Sequence, residues 1–156
     1  MSIVICSRDR AALLDGALEA IDGARREDDE TVLVDSASID GSVRETAAGH
    51  PAVMVVRCDR PGLARARNTG VRASSKPLIA FTDDDCRPQR GWAESIAAVF
   101  ASEERLGFVT GSVMPDRTDG PMLSILAESE PRTFEYGVDP AEFGHGANFA
   151  VRLLGL

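Results

Sequence analysis

The sequence has 156 residues, of which 44% are hydrophobic and 27% charged, with a formal net charge of -8 at pH 7. This length and composition indicate one folded domain with a buried core and exclude a disordered chain. The excess negative charge disfavours binding to nucleic acid or to an anionic membrane surface, because both need a basic face. No apolar run approaches the roughly 20 residues that span a bilayer. With no signal peptide after Met1, we expect a cytoplasmic protein without a transmembrane segment.

Apolar runs of strand length alternate with segments of helical periodicity from the first residue. Residues 3–6 form a continuous apolar run, which is typical of a parallel strand covered on both faces. Asp9 is placed to cap the helix that follows, and the charged run at 25–30 closes it. Its apolar positions recur at helical spacing: Leu13, Leu14, Ala17, Leu18 and Ile21.

The same alternation continues to about residue 114. The pattern predicts strands at 31–35, 52–57, 78–82 and 108–114, and helices at 40–48 and 62–73. Asp40 is the expected cap of the first of these helices, and a further helix should open at Pro88. The buried stripe of that last helix is predicted to contain Trp92, Ile96, Val99 and Phe100. The sequence therefore predicts a mainly parallel, doubly wound α/β sheet of about five strands flanked by helices, which binds ligands beyond the carboxyl ends of its strands.

Three successive aspartates, Asp83, Asp84 and Asp85, follow the fourth predicted strand. Adjacent carboxylates repel one another and raise each other's pKa, and a bound divalent cation is the simplest remedy. Their hard oxygens suit Mn²⁺ or Mg²⁺. The alternative is a solvated turn before the Pro88 helix, in which one aspartate caps that helix.

Other polar residues end the first two strands. Cys6, Ser7 and Arg8 follow the first strand, whereas Asp35 ends the second and could equally be a turn residue. Arg67 lies on the predicted helix at 62–73. Arg67 either lies on a solvated basic face of that helix or turns its side chain towards the carboxyl ends of the strands, where it contacts an anionic ligand.

Five blocks together resemble a family 2 glycosyltransferase, an inverting enzyme with the GT-A fold that uses nucleotide-diphosphate sugars. The blocks are residues 3–10 (IVICSRDR), 34–42 (VDSASIDGS), 61–70 (PGLARARNTG), 79–92 (IAFTDDDCRPQRGW) and 144–152 (GHGANFAVR). They occur in the family's order and at its spacing. The resemblance implies a donor of the UDP- or GDP-sugar type and a divalent cation, Mn²⁺ or Mg²⁺.

The resemblance also implies roles for individual residues. It places Cys6, Ser7 and Arg8 at the nucleoside, gives Asp35 to the base and Arg67 to the nucleotide, and places Asp83 and Asp84 near the ribose. Asp85, with Asp83, would hold the cation that bridges the diphosphate in an Asp-x-Asp motif. His145 and Asn148 would line the donor-sugar and acceptor side, although a structural histidine explains His145 equally well.

The family's catalytic base normally lies downstream of the block that ends here at Arg152. We therefore expect the base beyond Leu156, and we interpret residues 1–156 as a single nucleotide-sugar-binding domain that is incomplete at its C-terminus. Five carboxylates inside the chain are better explained as surface residues: Glu128, Glu130, Glu135, Asp139 and Glu142. Uncovered apolar surface would then favour self-association, and the acceptor is unknown.

Three alternative functions follow from the same pattern. A non-catalytic nucleotide- or nucleotide-sugar-binding module would keep the donor site without sugar transfer. A receiver-like phosphoacceptor domain is disfavoured because the first strand ends in Cys6, Ser7 and Arg8 and not in a carboxylate pair. A Rossmann dehydrogenase is disfavoured because no Gly-x-Gly-x-x-Gly follows that strand.

Cys58 and Cys86, like Cys6, lack CxxC spacing and are expected to be reduced thiols.

Overall fold

The computed structural model describes residues 1–115, Thr133 and residues 145–153. Within these residues a single sheet contains β1 (Ser2–Ser7), β2 (Glu30–Ser36), β3 (Val53–Cys58), β4 (Leu78–Asp83), β5 (Phe108–Thr110) and β6 (Asn148–Arg152). The helices of the described part are α1 (Ala11–Ala24), α2 (Ser42–Ala48), α3 (Leu63–Ala73) and α4 (Trp92–Ser102). The mixed α/β class is therefore as predicted.

The strands lie in the order β3-β2-β1-β4-β6-β5. The first four are parallel, as the alternation of strands and helices predicted. The last strand in the sequence, β6, is antiparallel to both β4 and β5 and lies between them. The sheet thus has one strand more than expected, because residues 148–152 form a strand and not merely a loop that lines a site.

The register of the parallel strands brings their carboxyl ends together. Ser7 lies opposite Asp35 on β2, and Cys6 lies opposite Asp83 on β4. We call this side of the sheet the carboxyl edge and the opposite side, where β1, β2 and β4 begin, the amino edge. The expectation that Ser7, Asp35 and Asp83 share one edge is confirmed.

Alternate residues of β1 pack into two different layers of core. Ile3 and Ile5 contact the layer that contains α1 and α4, whereas Val4 belongs to the layer beneath α3, and all three are fully buried. Helix α3 lies very close to the sheet, because a Cβ at Gly70 would stand 2.4 Å from Cγ1 of Val4. This close approach carries Arg67, one turn earlier, to the carboxyl edge.

Two predicted helix starts are wrong. Arg10, and not Asp9, precedes α1, and no side chain caps this helix. Asp9 has a φ of 53° and turns its carboxylate away to the β2–α2 loop, where it accepts the Ile39 N–H. Helix α4 begins at Trp92, four residues after Pro88, because Gly91 reverses the chain at a φ of 84°.

Smaller differences concern helix faces. Val99 of α4 and Leu13 of α1 are 40% and 39% exposed, although both were expected to be buried. Asp40 lies one position outside the residue that precedes α2, yet its carboxylate accepts the N–H and the hydroxyl of Ser42. It therefore satisfies the first turn of that helix much as a cap does.

Candidate functional site

Two of the three successive aspartates share one arginine. Oδ2 of Asp84 accepts the Ser7 hydroxyl at 2.7 Å, and its Oδ1 lies 2.8 Å from a guanidinium nitrogen of Arg10. The second terminal nitrogen of Arg10 donates to Oδ2 of Asp85 at 2.7 Å. The Asp84 side chain is only 4% exposed, whereas that of Asp85 is 48% exposed. Ser7 and Arg10 thus fix the inner carboxylate, and Asp85 faces solvent.

Asp83 is paired with a different arginine. Arg67 of α3 donates to Oδ1 of Asp83 at 3.2 Å and to the carbonyl oxygen of Gly146 at 2.7 Å. Its guanidinium also stacks over the Phe149 ring, 5.2 Å from the centroid. Arg67 therefore turns towards the carboxyl edge and joins α3, β4 and β6 there.

The carboxylates keep a surplus of negative charge despite these arginines. Burial raises the pKa of Asp83 above its usual value, Arg67 opposes the shift, and Asp85 adds to it. Burial likewise raises the pKa of Asp84, against the effects of Ser7 and Arg10. A cation brought to this edge would relieve that cost. In the part of the chain that is described, no three His, Cys, Asp or Glu side chains converge on a single metal position.

Asp35 is nearly closed to solvent, at 1% exposure. Its Oδ1 accepts the Ser38 N–H at 3.0 Å, and its Oδ2 accepts from Arg57 at 2.5 Å. The Ser38 hydroxyl in turn accepts the Asp9 N–H. In this arrangement Asp35 anchors the β2–α2 loop and ties it to the β1–α1 loop, and its contact with a base stays a prediction.

Cys6 and Arg8 differ in accessibility at the end of β1. Burial raises the pKa of the Cys6 thiol to about 12, so the side chain is an uncharged, packed group. Arg8 is exposed, and its Nε lies 3.4 Å from the Asp9 carboxylate. Of these two residues, only Arg8 has a charge available to a ligand.

Two residues of the last predicted block, His145 and Asn148, lie at the carboxyl edge near the start of β6. The Asn148 side chain accepts the Trp92 indole N–H at 2.9 Å and donates to the Ser112 carbonyl at 2.9 Å. His145 accepts the Ala147 N–H through Nδ1 and is close enough to Asp83 to interact with it electrostatically. The structure thus gives Asn148 a positioning role between α4 and the segment after β5.

A cavity of about 680 Å³ opens beside the aspartates. Asp85, Thr110 and Asn148 line its polar part, and Trp92, Ile96 and Val109 contribute apolar surface. The cavity lies between α4 and the antiparallel strands, so it adjoins the residues expected on the donor-sugar and acceptor side.

Sequence reasoning missed three residues of this site: Arg10, Arg57 and Trp92. Arg10 contacts Asp85 across 75 positions of sequence, and Arg57 contacts Asp35 across 22. No local pattern marks such pairs, although the strand order brings them together. Trp92 was assigned to a buried helix stripe, but its indole N–H binds Asn148.

The carboxylates considered as alternatives to a downstream base all lie outside the described residues, as does Gly144. They are Glu128, Glu130, Glu135, Asp139 and Glu142.

Among the residues that the structure does describe, no helix is both long enough and apolar enough to cross a membrane.

Known structures share this fold. The mannosyltransferase PcManGT from Pyrobaculum calidifontis, solved with GDP-Man and Mn²⁺, has a TM-score of 0.66 and 23% identity over 97% of this chain and 44% of its own. Glucosyl-3-phosphoglycerate synthase from Mycobacterium tuberculosis, solved with Mn²⁺, UDP and glucosyl-3-phosphoglycerate, has a TM-score of 0.60 and 22% identity over 70% of this chain and 42% of its own. These likenesses show the GT-A fold.

Sequence comparison leads to the same family. Glycosyltransferase AglE from Haloferax volcanii is 33% identical over 69 residues, which cover 42% of this chain and 23% of AglE. The chain thus matches less than half of the length of each of these three relatives. The model of the family described as "Glycosyl transferase family 2" matches residues 2–151, and the chain therefore belongs to that family.

Proposed function

We propose that residues 1–156 form a nucleotide-sugar-binding domain. It takes a UDP- or GDP-type sugar together with Mn²⁺ or Mg²⁺ at the carboxyl edge and presents the sugar for transfer with inversion. The observation that carries this proposal is the meeting of Ser7, Arg67 and the aspartates at 83–85 on one edge of a family 2 fold. Relatives solved with GDP-Man and Mn²⁺, and with UDP and Mn²⁺, support this choice of donor and metal.

The carboxylates fit a hard divalent cation. Asp85 and Asp83 are 48% and 32% exposed, so their oxygens are accessible, and the raised pKa of Asp83 marks a site that gains from added positive charge. Carboxylate oxygens with diphosphate oxygens are a usual ligand set for Mg²⁺ or Mn²⁺. When bound, the cation would stabilise the charge that develops on the diphosphate leaving group.

The nucleoside would lie over the ends of β1 and β2. Ser7 holds Asp84 in place at the ribose, and Asp35 fixes the loop that faces the base. Cys6 offers a packed, neutral wall. Arg8 offers an exposed guanidinium, which can pair with phosphate oxygens.

The sugar would extend from the aspartates towards the cavity beside α4. Asn148 holds the Trp92 ring in the wall of that cavity. His145 lies near Asp83 and can donate or accept at the sugar hydroxyls. The catalytic base is not assigned to any described residue, and the acceptor is left open.

Calorimetric titration of the chain with UDP and with GDP, each with Mn²⁺ and with a chelator, tests this proposal. Binding should be much tighter with Mn²⁺. Asp85→Ala should remove most of that difference, because Asp85 is the proposed solvent-facing ligand. Asp40→Ala is the matched control, since Asp40 is also an exposed carboxylate at this edge but accepts its hydrogen bonds from Ser42, at the start of α2.

Equal metal dependence in Asp85→Ala and in the parent chain would refute the ligand assignment. Absence of nucleotide binding to the parent under any of these conditions would refute the donor site itself. Incubation with labelled UDP- and GDP-sugars, Mn²⁺ and a panel of acceptors then separates transfer from a module that only binds.

A further inference from the structure

Arg10 is the guanidinium that pairs with both Asp84 and Asp85 in the structure. We infer that it is a positioning residue that gives up Asp85 to the divalent cation and then pairs with the diphosphate. This inference rests on the proposed donor site and concerns how the ion pairs of that site change when the metal and the nucleotide bind. Arg10 itself was assigned no role from the sequence.

The contacts show which of the two carboxylates can be released. Asp84 is 4% exposed and is held by Ser7 as well as by Arg10, so it stays in place when the arginine moves. Asp85 is 48% exposed, and its Oδ2 takes its hydrogen bond from Arg10. Its Oδ1 meets the Cys86 thiol, a weak donor, at 3.8 Å. Arg10 is therefore the principal restraint on Asp85.

The charges show why the arginine must move. A guanidinium and a divalent cation on one carboxylate repel each other strongly at such short range. The Arg10 side chain is 45% exposed, so it can rotate away from Asp85 without unpacking the core.

The same charges indicate where Arg10 goes. The three carboxylates at 83–85 and the two arginines that they contact, Arg10 and Arg67, together carry a net charge of about -1 before a ligand arrives. A divalent cation reverses that sign, and the diphosphate makes the edge negative again. Arginine binds phosphate oxygens through charge-assisted hydrogen bonds, and a released Arg10 lies beside the incoming anion.

The first measurement uses Mn²⁺ alone, without nucleotide. Arg10→Gln removes the competing cation but keeps a polar side chain. It should bind Mn²⁺ about tenfold more tightly than the parent, because a unit positive charge within a few ångströms of the metal is gone. Electron paramagnetic resonance of free Mn²⁺ reads this affinity without any enzymatic assay.

The second measurement titrates UDP and GDP at saturating Mn²⁺. Here Arg10→Gln should bind about tenfold more weakly than the parent, since the diphosphate loses a charge-assisted partner. Arg10→Lys keeps the charge but not the fork of donors, and it should fall between the parent and Arg10→Gln in both titrations. Tighter binding of Mn²⁺ together with weaker binding of nucleotide is the result that the exchange predicts. Loss of a purely structural contact would weaken both affinities.

Arg25→Gln is the control. It breaks an Arg–Asp pair of similar length, 2.9 Å, at the amino edge and should leave both affinities unchanged. Mn²⁺ binding by Arg10→Gln that is equal to or weaker than that of the parent would overturn the inference, and Arg10→Met, which also removes the charge, decides the matter in the same way should Arg10→Gln not fold. Failure of the parent to bind nucleotide with Mn²⁺ would instead reject the proposed function, which the metal-only titration does not require.

Discussion

The carboxylates at 29–30, at the amino edge, and those at 83–85, at the carboxyl edge, are paired in different ways. At the amino edge Asp29 is fully buried, and Arg26 and the Met1 ammonium both bond it at 2.7 Å. Glu30 at the same edge accepts the Ser2 hydroxyl and both the N–H and the hydroxyl of Ser75. At the carboxyl edge, three adjacent aspartates share two arginines.

The pKa values express this difference. Burial alone would raise the pKa of Asp29, but Arg26 and the Met1 ammonium outweigh it and lower the value to about 2. Burial raises the pKa of Asp83 and of Asp84, and their arginines do not compensate. Folding therefore favours the ionised form of Asp29 and opposes the ionised form of Asp83 and Asp84. Asp29 thus stabilises the fold, whereas Asp83 and Asp84 would gain from the cation that we propose for this site.

The largest expected effect is at the amino edge. Asp29→Asn leaves Arg26 and the Met1 ammonium without their carboxylate and should lower the free energy of unfolding by about 2 kcal/mol, at the low end for a buried pair because Arg26 is 35% exposed. Urea denaturation measures this loss. Asp22→Asn removes only an exposed pair with Arg25 and should change stability by less than about 0.5 kcal/mol. Equal losses in the two variants would contradict the stabilising role of the buried pair at Asp29.

The same pair makes acid stability predictable. The pKa of Asp29 in the folded chain is about 2 against an ordinary 3.8, so its contribution is present above 3.8 and is lost as the pH falls towards 2. The parent and Asp29→Asn should therefore differ most at neutral pH and converge over that window. A difference that stays constant down to the lower limit would show that the asparagine acts by disturbing packing.

A change at the carboxyl edge should have the opposite sign. The folded pKa of Asp83 is raised, so the ionised group costs stability at neutral pH, and that cost vanishes as the pH falls below the ordinary value. Asp83→Asn should raise the free energy of unfolding by about 1 kcal/mol, within the range of single stabilising substitutions. The same variant should weaken Mn²⁺-dependent nucleotide binding. Lower stability together with unchanged binding would mean that Asp83 is a structural residue.

The smallest effect concerns backbone strain at the carboxyl edge. Ala37, in the loop after β2, has a φ of 58°, a conformation that glycine adopts without the penalty of a Cβ. Ala37→Gly should therefore raise stability by about 0.5 kcal/mol despite the added entropy of the unfolded chain. Ala98→Gly, at an exposed position inside α4, should lower it by about 1 kcal/mol. Loss of stability in both variants would show that the strain at Ala37 costs nothing.

The parallel half of the fold could be predicted from the sequence because each of its strands is a local apolar run. The strand predicted at 78–82 is β4 (Leu78–Asp83), and the one predicted at 31–35 is β2 (Glu30–Ser36). The strand at 148–152 was missed because its partners, β4 and β5, lie far away in the sequence. The short apolar run at residues 149–151 (FAV) was a weak local signal for it.

The residues of the candidate site likewise divide into those with a local sequence signal and those defined by a distant partner. Ser7, Asp35 and Asp83 could be found because they end predicted strands, and the topology brings such ends to one edge. Arg10 and Arg57 could not, since each is defined by a carboxylate far away in the sequence, either after β4 or on β2. Arg67 needed both kinds of information: its motif suggested a ligand, and only the close approach of α3 at Gly70 showed where it points.

The position of β6 has a consequence for biosynthesis. Among the described residues, β5 pairs only with β6, and β6 in turn pairs with β4. Residues 108–110 therefore cannot join the sheet when they leave the ribosome and must wait until residue 152 has followed. Meanwhile the β4 backbone on that side has no strand partner, and Phe81, which stacks on Phe149 at 4.5 Å in the finished sheet, lacks its ring partner. Such an unpaired strand can recruit a neighbouring nascent chain, so the growing chain is exposed to misassembly from the emergence of β4 until residues 148–152 have been translated.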